Sequence, residues 1–227
     1  MTIALVVFDM AGTTVRDDGG AVNRCLRAAL AAAGLSVRAE AVNAVMGLPK
    51  PEALQQLISA SPLGATLLPQ VGAIHEDFVG RMIDFYGTDP SVGPVAGAAA
   101  VFARLRAAGV RVALDTGFSR RITNVVLERL GWADGRLIDA TVTSDEVARG
   151  RPHPDMIQVL MARCGVGAAR DVAKVGDTPA DLLEGANAGC GMVVGVTNGS
   201  HTLAQLQPFP HTHLIASVTD LPALLGL

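Results

Sequence analysis

The chain begins with an unbroken run of apolar residues that ends abruptly in polar ones. Residues 3–8 are apolar, and Asp9, Gly12, Thr13 and Thr14 follow within a few positions. A short apolar run rich in β-branched residues predicts a parallel strand that is buried on both faces. In open α/β sheets, ligands bind beyond the carboxyl ends of the strands. We therefore expect Asp9 and the polar residues after it to face a ligand-binding crevice.

After this strand the chain shows a helical pattern with no convincing strand until about residue 95. Residues rich in turn formers flank the helical stretch at 17–20 and 87–94, and we interpret them as two hinges. The clearer helical segments between them are 21–33, 51–59 and 73–86.

From residue 95 onward, apolar strands and amphipathic helices alternate. The predicted strands are 110–115, 138–143, 172–175 and 191–196, the predicted helices are 95–108, 120–130, 153–164 and 180–188, and weaker elements lie at 213–215 and 220–225. This alternation predicts an α/β fold with a Rossmann-like parallel sheet. The predicted core domain comprises residues 1–15 and 95–227, and residues 16–94 form an inserted α-helical cap domain. Because the insert leaves the carboxyl end of a strand, we expect it to cover the crevice.

Composition narrows the class of partner. A hydrophobic content of 50% in 227 residues is ample for a core. The net charge of -3 and the absence of a basic run disfavour nucleic acid and anionic membranes, and favour a small-molecule substrate. The three cysteines show no disulfide or zinc pattern, and nothing predicts a signal peptide or membrane span. We expect a cytoplasmic protein, and a homodimer is compatible with the sequence.

Two later segments place candidate anion-binding groups near strand ends. Thr116 and Gly117 follow the strand at 110–115, where a hydroxyl and an unhindered backbone suit a phosphate, although an ordinary turn has the same residues. Arg151 lies in a proline-rich loop and is the only strong cation near a predicted strand end. It is suited to hold two phosphate oxygens and to balance nearby carboxylates, with a solvated loop arginine as the alternative.

Two carboxylates follow the strand at 172–175. Asp177 and Asp181 stand four residues apart at the start of a predicted helix, where a single Asp is more often a cap than a ligand. With Asp9 arriving from a neighbouring strand, we expect three carboxylates to converge without a compensating lysine. Oxygen ligands beside a phosphate favour Mg²⁺.

Taken in order, these residues resemble the motifs of the haloacid dehalogenase hydrolase superfamily, and the resemblance covers the whole chain. It implies that Asp9 is the nucleophile and that Thr116, Gly117 and Arg151 hold the phosphoryl group. It also implies that Asp9, the Ala11 carbonyl and Asp177 bind Mg²⁺, that Asp181 orients the water on the metal, and that Thr13 supports the site. The residues that carry the resemblance are Asp9, Thr13, Thr116, Arg151, Gly176, Asp177 and Asp181.

At two positions the chain departs from the usual motifs of the superfamily, and there it resembles one subgroup, the phosphonatases or phosphonoacetaldehyde hydrolases. Most phosphatases of the superfamily carry an acid where this chain has Ala11, and a Lys where it has Arg151. Phosphonatases carry a Schiff-base lysine after a Met-Gly-Leu segment, and here Lys50 follows residues 46–49, which begin with Met46, a predicted substrate contact. A carbon leaving group needs an electron sink rather than an acid, and an iminium on Lys50 supplies one.

Lys50 must be neutral to form that iminium. A lysine has an ordinary pKa of ~10.4, and lowering it by ~3 units takes roughly 4 kcal/mol from burial or nearby positive charge. The alternative for Lys50 is a solvated lysine at a helix start.

Two further departures leave the substrate open. Ala53 replaces a phosphonatase His, and Phe118 replaces a Tyr, so phosphonoacetaldehyde and related 2-oxoalkylphosphonates both fit. The main rival is a phosphomonoesterase resembling phosphoglycolate phosphatases, which Ala11 disfavours because no acid protonates the leaving alcohol. A receiver-like phospho-acceptor is disfavoured by the insert, and a metal-independent dehalogenase by Asp177 and Asp181.

Overall fold

The sheet of this protein is parallel and doubly wound. A computed structural model describes residues 2–17 and 19–227, so Asp18 of the first predicted hinge lies outside it. The described residues form six strands in the order β3-β2-β1-β4-β5-β6, and all their pairings are parallel. The predicted α/β fold is confirmed. The strands are β1 Leu5–Asp9, β2 Arg111–Thr116, β3 Ala140–Thr143, β4 Val172–Gly176, β5 Met192–Val196 and β6 His213–Ile215.

The helices agree with the predicted segments to within three residues. Three helices that the sequence did not indicate, α2, α4 and α10, are about one turn long, which is too short for a helical period to show. The helices are α1 Ala21–Ala32, α2 Ala39–Asn43, α3 Lys50–Ser59, α4 Gly64–Leu67, α5 Val71–Thr88, α6 Ala98–Ala107, α7 Arg120–Arg129, α8 Asp155–Cys164, α9 Pro179–Ala188, α10 Leu203–Leu206 and α11 Leu221–Leu224. Short 3₁₀ helices lie at Leu68–Gln70, Ser144–Glu146, Ala169–Asp171 and Val218–Asp220.

Strand β1 lies in the middle of the sheet, and all five of its residues are buried. Asp9 stands opposite Asp115 of β2, and Phe8 stands opposite Val175 of β4. Helices cover both faces, as an apolar central strand requires. Phe8, for example, packs against Phe102 of α6 with ring centroids 5.1 Å apart. This register brings the polar residues after β1, β2 and β4 to one edge of the sheet.

Between β1 and α6 the chain is helical, as predicted. The long helix α5 packs against α1, α3 and α7. Its buried residues include Phe78 and Met82, which have no exposed surface. The division of the chain into a core and a cap domain stays our interpretation. Of the helices in the described ranges, none is both long and apolar enough to cross a membrane.

The two connections to the insert, residues 16–94, run side by side. The Arg16 amide donates to the Gly93 carbonyl at 3.0 Å, and the Val95 amide donates to the Thr14 carbonyl at 2.8 Å. Val15 and Pro94 form an antiparallel bridge between them. The insert therefore begins and ends at adjacent backbone positions. Its first residue follows Asp9 by only a few positions in the chain.

Candidate active site

A small cavity lies between the insert and the carboxyl edge of the sheet. This inner cavity has a volume of about 30 Å³, enough for about one or two water molecules. Its walls bring together seven of the predicted site residues, which come from β1, β2, the loop before α8 and the insert: Asp9, Ala11, Met46, Lys50, Thr116, Gly117 and Arg151. The other three, Thr13, Asp177 and Asp181, are buried next to it.

Arg151 is buried at the centre of the acidic groups, with only 1% of its surface exposed. Its Nη1 donates to Asp9 Oδ1 at 2.6 Å, and its Nε donates to Glu184 Oε2 at 3.0 Å. The same guanidinium also donates to Asp115 and lies 3.0 Å from Asp181 Oδ1. The alternative of a solvated loop arginine is therefore wrong.

The prediction that no lysine compensates these carboxylates is also wrong. Lys174, in β4, has no exposed surface. Its Nζ lies 2.9 Å from Glu184 Oε2 and 3.2 Å from Asp181 Oδ1, and it donates to Asp115. Arg151 is therefore one of two buried cations in the acidic cluster. The sequence interpretation considered strand ends, whereas Lys174 reaches the cluster from the strand interior.

Asp115 and Glu184 are cluster members that the sequence interpretation did not assign. Asp115 stands opposite Asp9 in the parallel register of β1 and β2, and Glu184 lies three residues after Asp181 on α9. Asp115 could have been assigned from its position at a strand end, and Glu184 from its helical spacing to Asp181. Their oxygens and one oxygen of Asp181 lie within 4.8 Å of one another. Arg151 and Lys174 provide the countercharge there.

A second group of carboxylates has the composition of a metal site. Oxygens of Asp9, Asp177 and Asp181 lie within 4.8 Å of one another. Burial raises the pKa of Asp9 to about 8, and Asp181 and Asp177 add to the effect, against the lowering influence of Arg151. A hard cation would offset this repulsion, and the donors are all oxygens, so the residues present fit Mg²⁺.

Asp177 is fixed in place by hydroxyl and amide donors. Thr13 Oγ1 donates to its Oδ1 at 2.9 Å, and the amide and hydroxyl of Ser200 donate to its Oδ2 at 2.6 and 2.7 Å. Ser200 follows β5 and carried no sequence signal. Asp181 caps α9, because its Oδ2 accepts from the Thr178 amide at 3.1 Å. It is also a member of the acidic group.

The segment 46–50 of the insert packs onto the core at three glycines. Gly47 has a φ of +82° and faces the Thr178 side chain. A Cβ on Gly117 would lie 2.7 Å from the Leu48 carbonyl oxygen, and a Cβ on Gly150 would overlap Pro49. Gly117 therefore permits close approach of the insert, which is a role that the sequence interpretation did not give it.

This packing buries Lys50, which is only 3% exposed. Its Nζ donates to the Leu48 carbonyl at 3.0 Å and lies 5.8 Å from the ring centroid of Phe118. Burial and then the charge of Arg151 lower the pKa of Lys50 to about 8, although Asp9 and other acids oppose this. The alternative of a solvated lysine is therefore wrong.

Three neighbouring positions complete the description. Thr116 is 2% exposed, and its Oγ1 accepts from the Phe118 amide at 3.2 Å, which leaves the hydroxyl proton free to donate. Ala53 is fully buried in the apolar core and does not line the inner cavity. Ala11 is partly buried and lines that cavity, and its methyl side chain carries no acidic proton.

The fold is that of a haloacid dehalogenase-like hydrolase. The chain matches this family over residues 3–189, and it belongs to it. Within the family it is similar to phosphonoacetaldehyde hydrolases. It is 32% identical over 214 residues to that of Bacillus cereus, with 91% of this chain and 80% of the relative covered. It is 28% identical over 255 residues to that of Bacteroides fragilis, with 99% and 96% covered.

Solved structures show the same fold. A phosphonoacetaldehyde hydrolase-like protein from Oleispira antarctica superposes with a TM-score of 0.88 at 21% identity, covering 100% of this chain and 92% of that one. A putative phosphoglycolate phosphatase from Lactobacillus delbrueckii superposes with a TM-score of 0.81 at 19% identity, covering 99% of both chains. At these identities the likeness concerns the fold alone.

Proposed function

We propose that this enzyme is a Mg²⁺-dependent phosphonatase that cleaves the C–P bond of phosphonoacetaldehyde or a related 2-oxoalkylphosphonate. The observation that carries the proposal is the position of the Lys50 amine, which lines one inner cavity with the Asp9 carboxylate. An amine condenses with the substrate carbonyl, and a carboxylate attacks its phosphorus. The similarity to phosphonoacetaldehyde hydrolases supports the same substrate class.

Asp9 is the proposed nucleophile. Its Oδ1 accepts from Arg151 at 2.6 Å, and no other described side chain or amide donates a hydrogen bond to this carboxylate. The Oδ2 atom is thus available to attack phosphorus. Thr116 and Arg151, on the same cavity wall, are the proposed donors to the phosphoryl oxygens.

Lys50 is the proposed Schiff-base former. With a pKa of about 8, about one amine in four is neutral at pH 7.5, compared with about one in a thousand for an ordinary lysine. Condensation gives an iminium, and the iminium accepts the electron pair of the C–P bond when Asp9 attacks. The products are an enamine and an aspartyl-phosphate, and water hydrolyses both.

We propose that Asp9, the Ala11 carbonyl and Asp177 would hold Mg²⁺ and that Asp181 would orient a water molecule beside it. When bound, the cation supplies charge neutralisation between the phosphoryl group and the attacking carboxylate. The Ala11 methyl cannot protonate an alcohol, which disfavours phosphate esters as substrates.

The test is reductive trapping. Borohydride added with phosphonoacetaldehyde is expected to modify the protein at Lys50 and to stop phosphate release, and Lys50→Arg is expected to show neither phosphate release nor trapping. Arg27→Lys, at a solvent-facing position of α1, is the control and is expected to behave as wild type. Phosphate release from simple esters that borohydride does not inhibit, retained in Lys50→Arg, would instead indicate a phosphomonoesterase.

A further inference from the structure

We propose that Asp17 is the acid that exchanges protons with the substrate adduct on Lys50. In this role Asp17 protonates the hydroxyl that leaves the carbinolamine, and it recovers a proton when water hydrolyses the imine. The inference rests on the proposed Schiff-base function, and it deepens that function by assigning the proton transfers to a residue of the insert.

Among the described residues that line the inner cavity, Asp17 is the acid that is left for this role. The titratable side chains among the described residues that line it are Asp9, Asp17, Lys50 and Arg151. Asp9 and Arg151 are paired with each other at 2.6 Å. Lys50 is the reacting amine itself. Asp17 therefore remains as the lining group that can carry a proton to or from the adduct.

Asp17 also lines a second, larger cavity. This outer cavity has a volume of about 520 Å³, and polar, uncharged side chains such as Asn23, Asn43 and Ser217 contribute to its walls. A polar space of that size holds water. Asp17, Met46 and Ser200 line both cavities, and of these three only Asp17 titrates near neutral pH. One carboxylate thus lines both the reacting site and a cavity large enough to hold water.

The surroundings of Asp17 suit an acid that works near neutral pH. Its Oδ1 accepts from the Val22 amide at 3.3 Å at the start of α1. Burial raises the pKa of Asp17 to about 6, and the amides of Val22 and Ala21 oppose the rise. The charged and titratable groups that interact with it are Arg24 and Cys25 of α1, Lys50 of α3, Tyr86 of α5, and Asp177.

The first half-reaction forms the iminium, and its protons balance. The Lys50 nitrogen bonds to the carbonyl carbon, the π pair moves to oxygen, and a proton passes from nitrogen to oxygen to give a carbinolamine. The C–O bond then breaks toward oxygen, the Asp17 carboxyl gives that oxygen its proton, and water leaves. The nitrogen lone pair closes the iminium, and Asp17 is left as a carboxylate.

The reverse sequence restores the acid. After C–P cleavage the enamine carbon takes a proton from solvent, which regenerates an iminium. Water adds to the C=N bond, and the Asp17 carboxylate accepts the proton of that water. The hydroxyl proton then returns to nitrogen, and the C–N bond breaks to release the aldehyde and the free amine.

The experiment compares the pH dependence of borohydride trapping in the wild type, Asp17→Asn and Asp84→Asn. Asp84 lies on the exposed face of α5 and is the matched control. The mechanism needs a protonated Asp17 and a neutral Lys50 together. The wild-type rate should therefore rise up to pH about 6, stay level to about 8 and fall above it. In Asp17→Asn the rate should be roughly 100-fold lower and should rise up to pH about 8.

A second variant separates chemistry from structure. In Asp17→Ala, added acetate is expected to restore part of the trapping rate, because a small carboxylic acid can take the vacated place. Asp17→Asn with a wild-type rate and profile would overturn the assignment, as would a slower rate with an unchanged profile and no rescue by acetate. If the wild type itself forms no trapped adduct, the proposed function fails and this assignment fails with it.

Discussion

Arg151 Nη1 lies 2.6 Å from Asp9 Oδ1, and both side chains are almost completely buried. The same guanidinium contacts Asp115, Asp181 and Glu184. The orientation of the proposed nucleophile is therefore set by a cation that is packed into the core through several ion pairs. A loop arginine held by Asp9 alone would exchange with solvent and would leave the carboxylate free to rotate.

Arg151→Lys is expected to destabilise the protein despite keeping the charge. A lysine is a point charge on a flexible stem and cannot reach four carboxylates in one plane. Breaking buried ion pairs in this way costs about 3–5 kcal/mol, which urea denaturation would measure. Arg149→Lys is the control, because Arg149 is 61% exposed and its replacement should change the unfolding free energy by no more than about 0.5 kcal/mol. Equal stability of the two variants would contradict the assigned role of Arg151.

Lys50→Met is expected to stabilise the protein while abolishing activity. The pKa of Lys50 is lowered from 10.5 to about 8 in the folded state, which corresponds to an unfavourable contribution of up to about 3 kcal/mol. Since the folded pKa is the lower one, this cost is complete below pH 8 and disappears as the pH rises to 10.5. The stability advantage of Lys50→Met should therefore be largest at pH 7 and absent above pH 10.5, as measured by denaturation at both pH values. An advantage that grows with pH would contradict the burial of this amine.

Gly117→Ala tests the contact between the insert and the core. The new Cβ would lie 2.7 Å from the Leu48 carbonyl oxygen, so the segment 46–50 must move and Lys50 must become more exposed. We expect a loss of about 1–3 kcal/mol in stability and a shift of the Lys50 pKa toward 10.5, seen as trapping that requires higher pH. Gly167→Ala is the control, because nothing lies within 4 Å of its Cβ position. An unchanged pH dependence in Gly117→Ala would show that this contact does not determine the burial of Lys50.

Mg²⁺ is expected to raise the melting temperature of the wild type. Saturation to 100 times the dissociation constant corresponds to about 2.7 kcal/mol of added stability. Asp177→Asn should lose this response, and chelation should remove the activity of the wild type until Mg²⁺ is restored. Asp134→Asn, at an exposed loop position, should respond as the wild type does. A full thermal response in Asp177→Asn would exclude Asp177 as a ligand.

The strands and long helices could be predicted because each carries its own period of apolar residues. β1 is a short apolar run, and α5 is long enough for its buried side to recur along 18 residues. The strand-end residues Asp9 and Thr116 could be placed together because parallel strands share one carboxyl edge. None of these inferences needed information about distant contacts.

Lys174 and Ser200 could not be placed in the same way. A lysine within a buried strand is costly unless it is paired, and its partners Asp115 and Glu184 lie 59 residues before it and 10 residues after it. Ser200 reaches Asp177 through a loop conformation that has no periodic signal. Such contacts depend on how the elements pack, and the local sequence does not encode them.

The bridge between Val15 and Pro94 has a consequence for how this enzyme can be rebuilt. The insert, residues 16–94, leaves and rejoins the rest of the chain at neighbouring backbone positions. It can therefore be exchanged as one block without spanning a gap. A foreign helical segment whose ends lie equally close would leave Asp9, Arg151 and Asp177 untouched. The nucleophile and the acidic group would then be available to a different leaving-group chemistry, and Lys50 and Asp17 would be lost together.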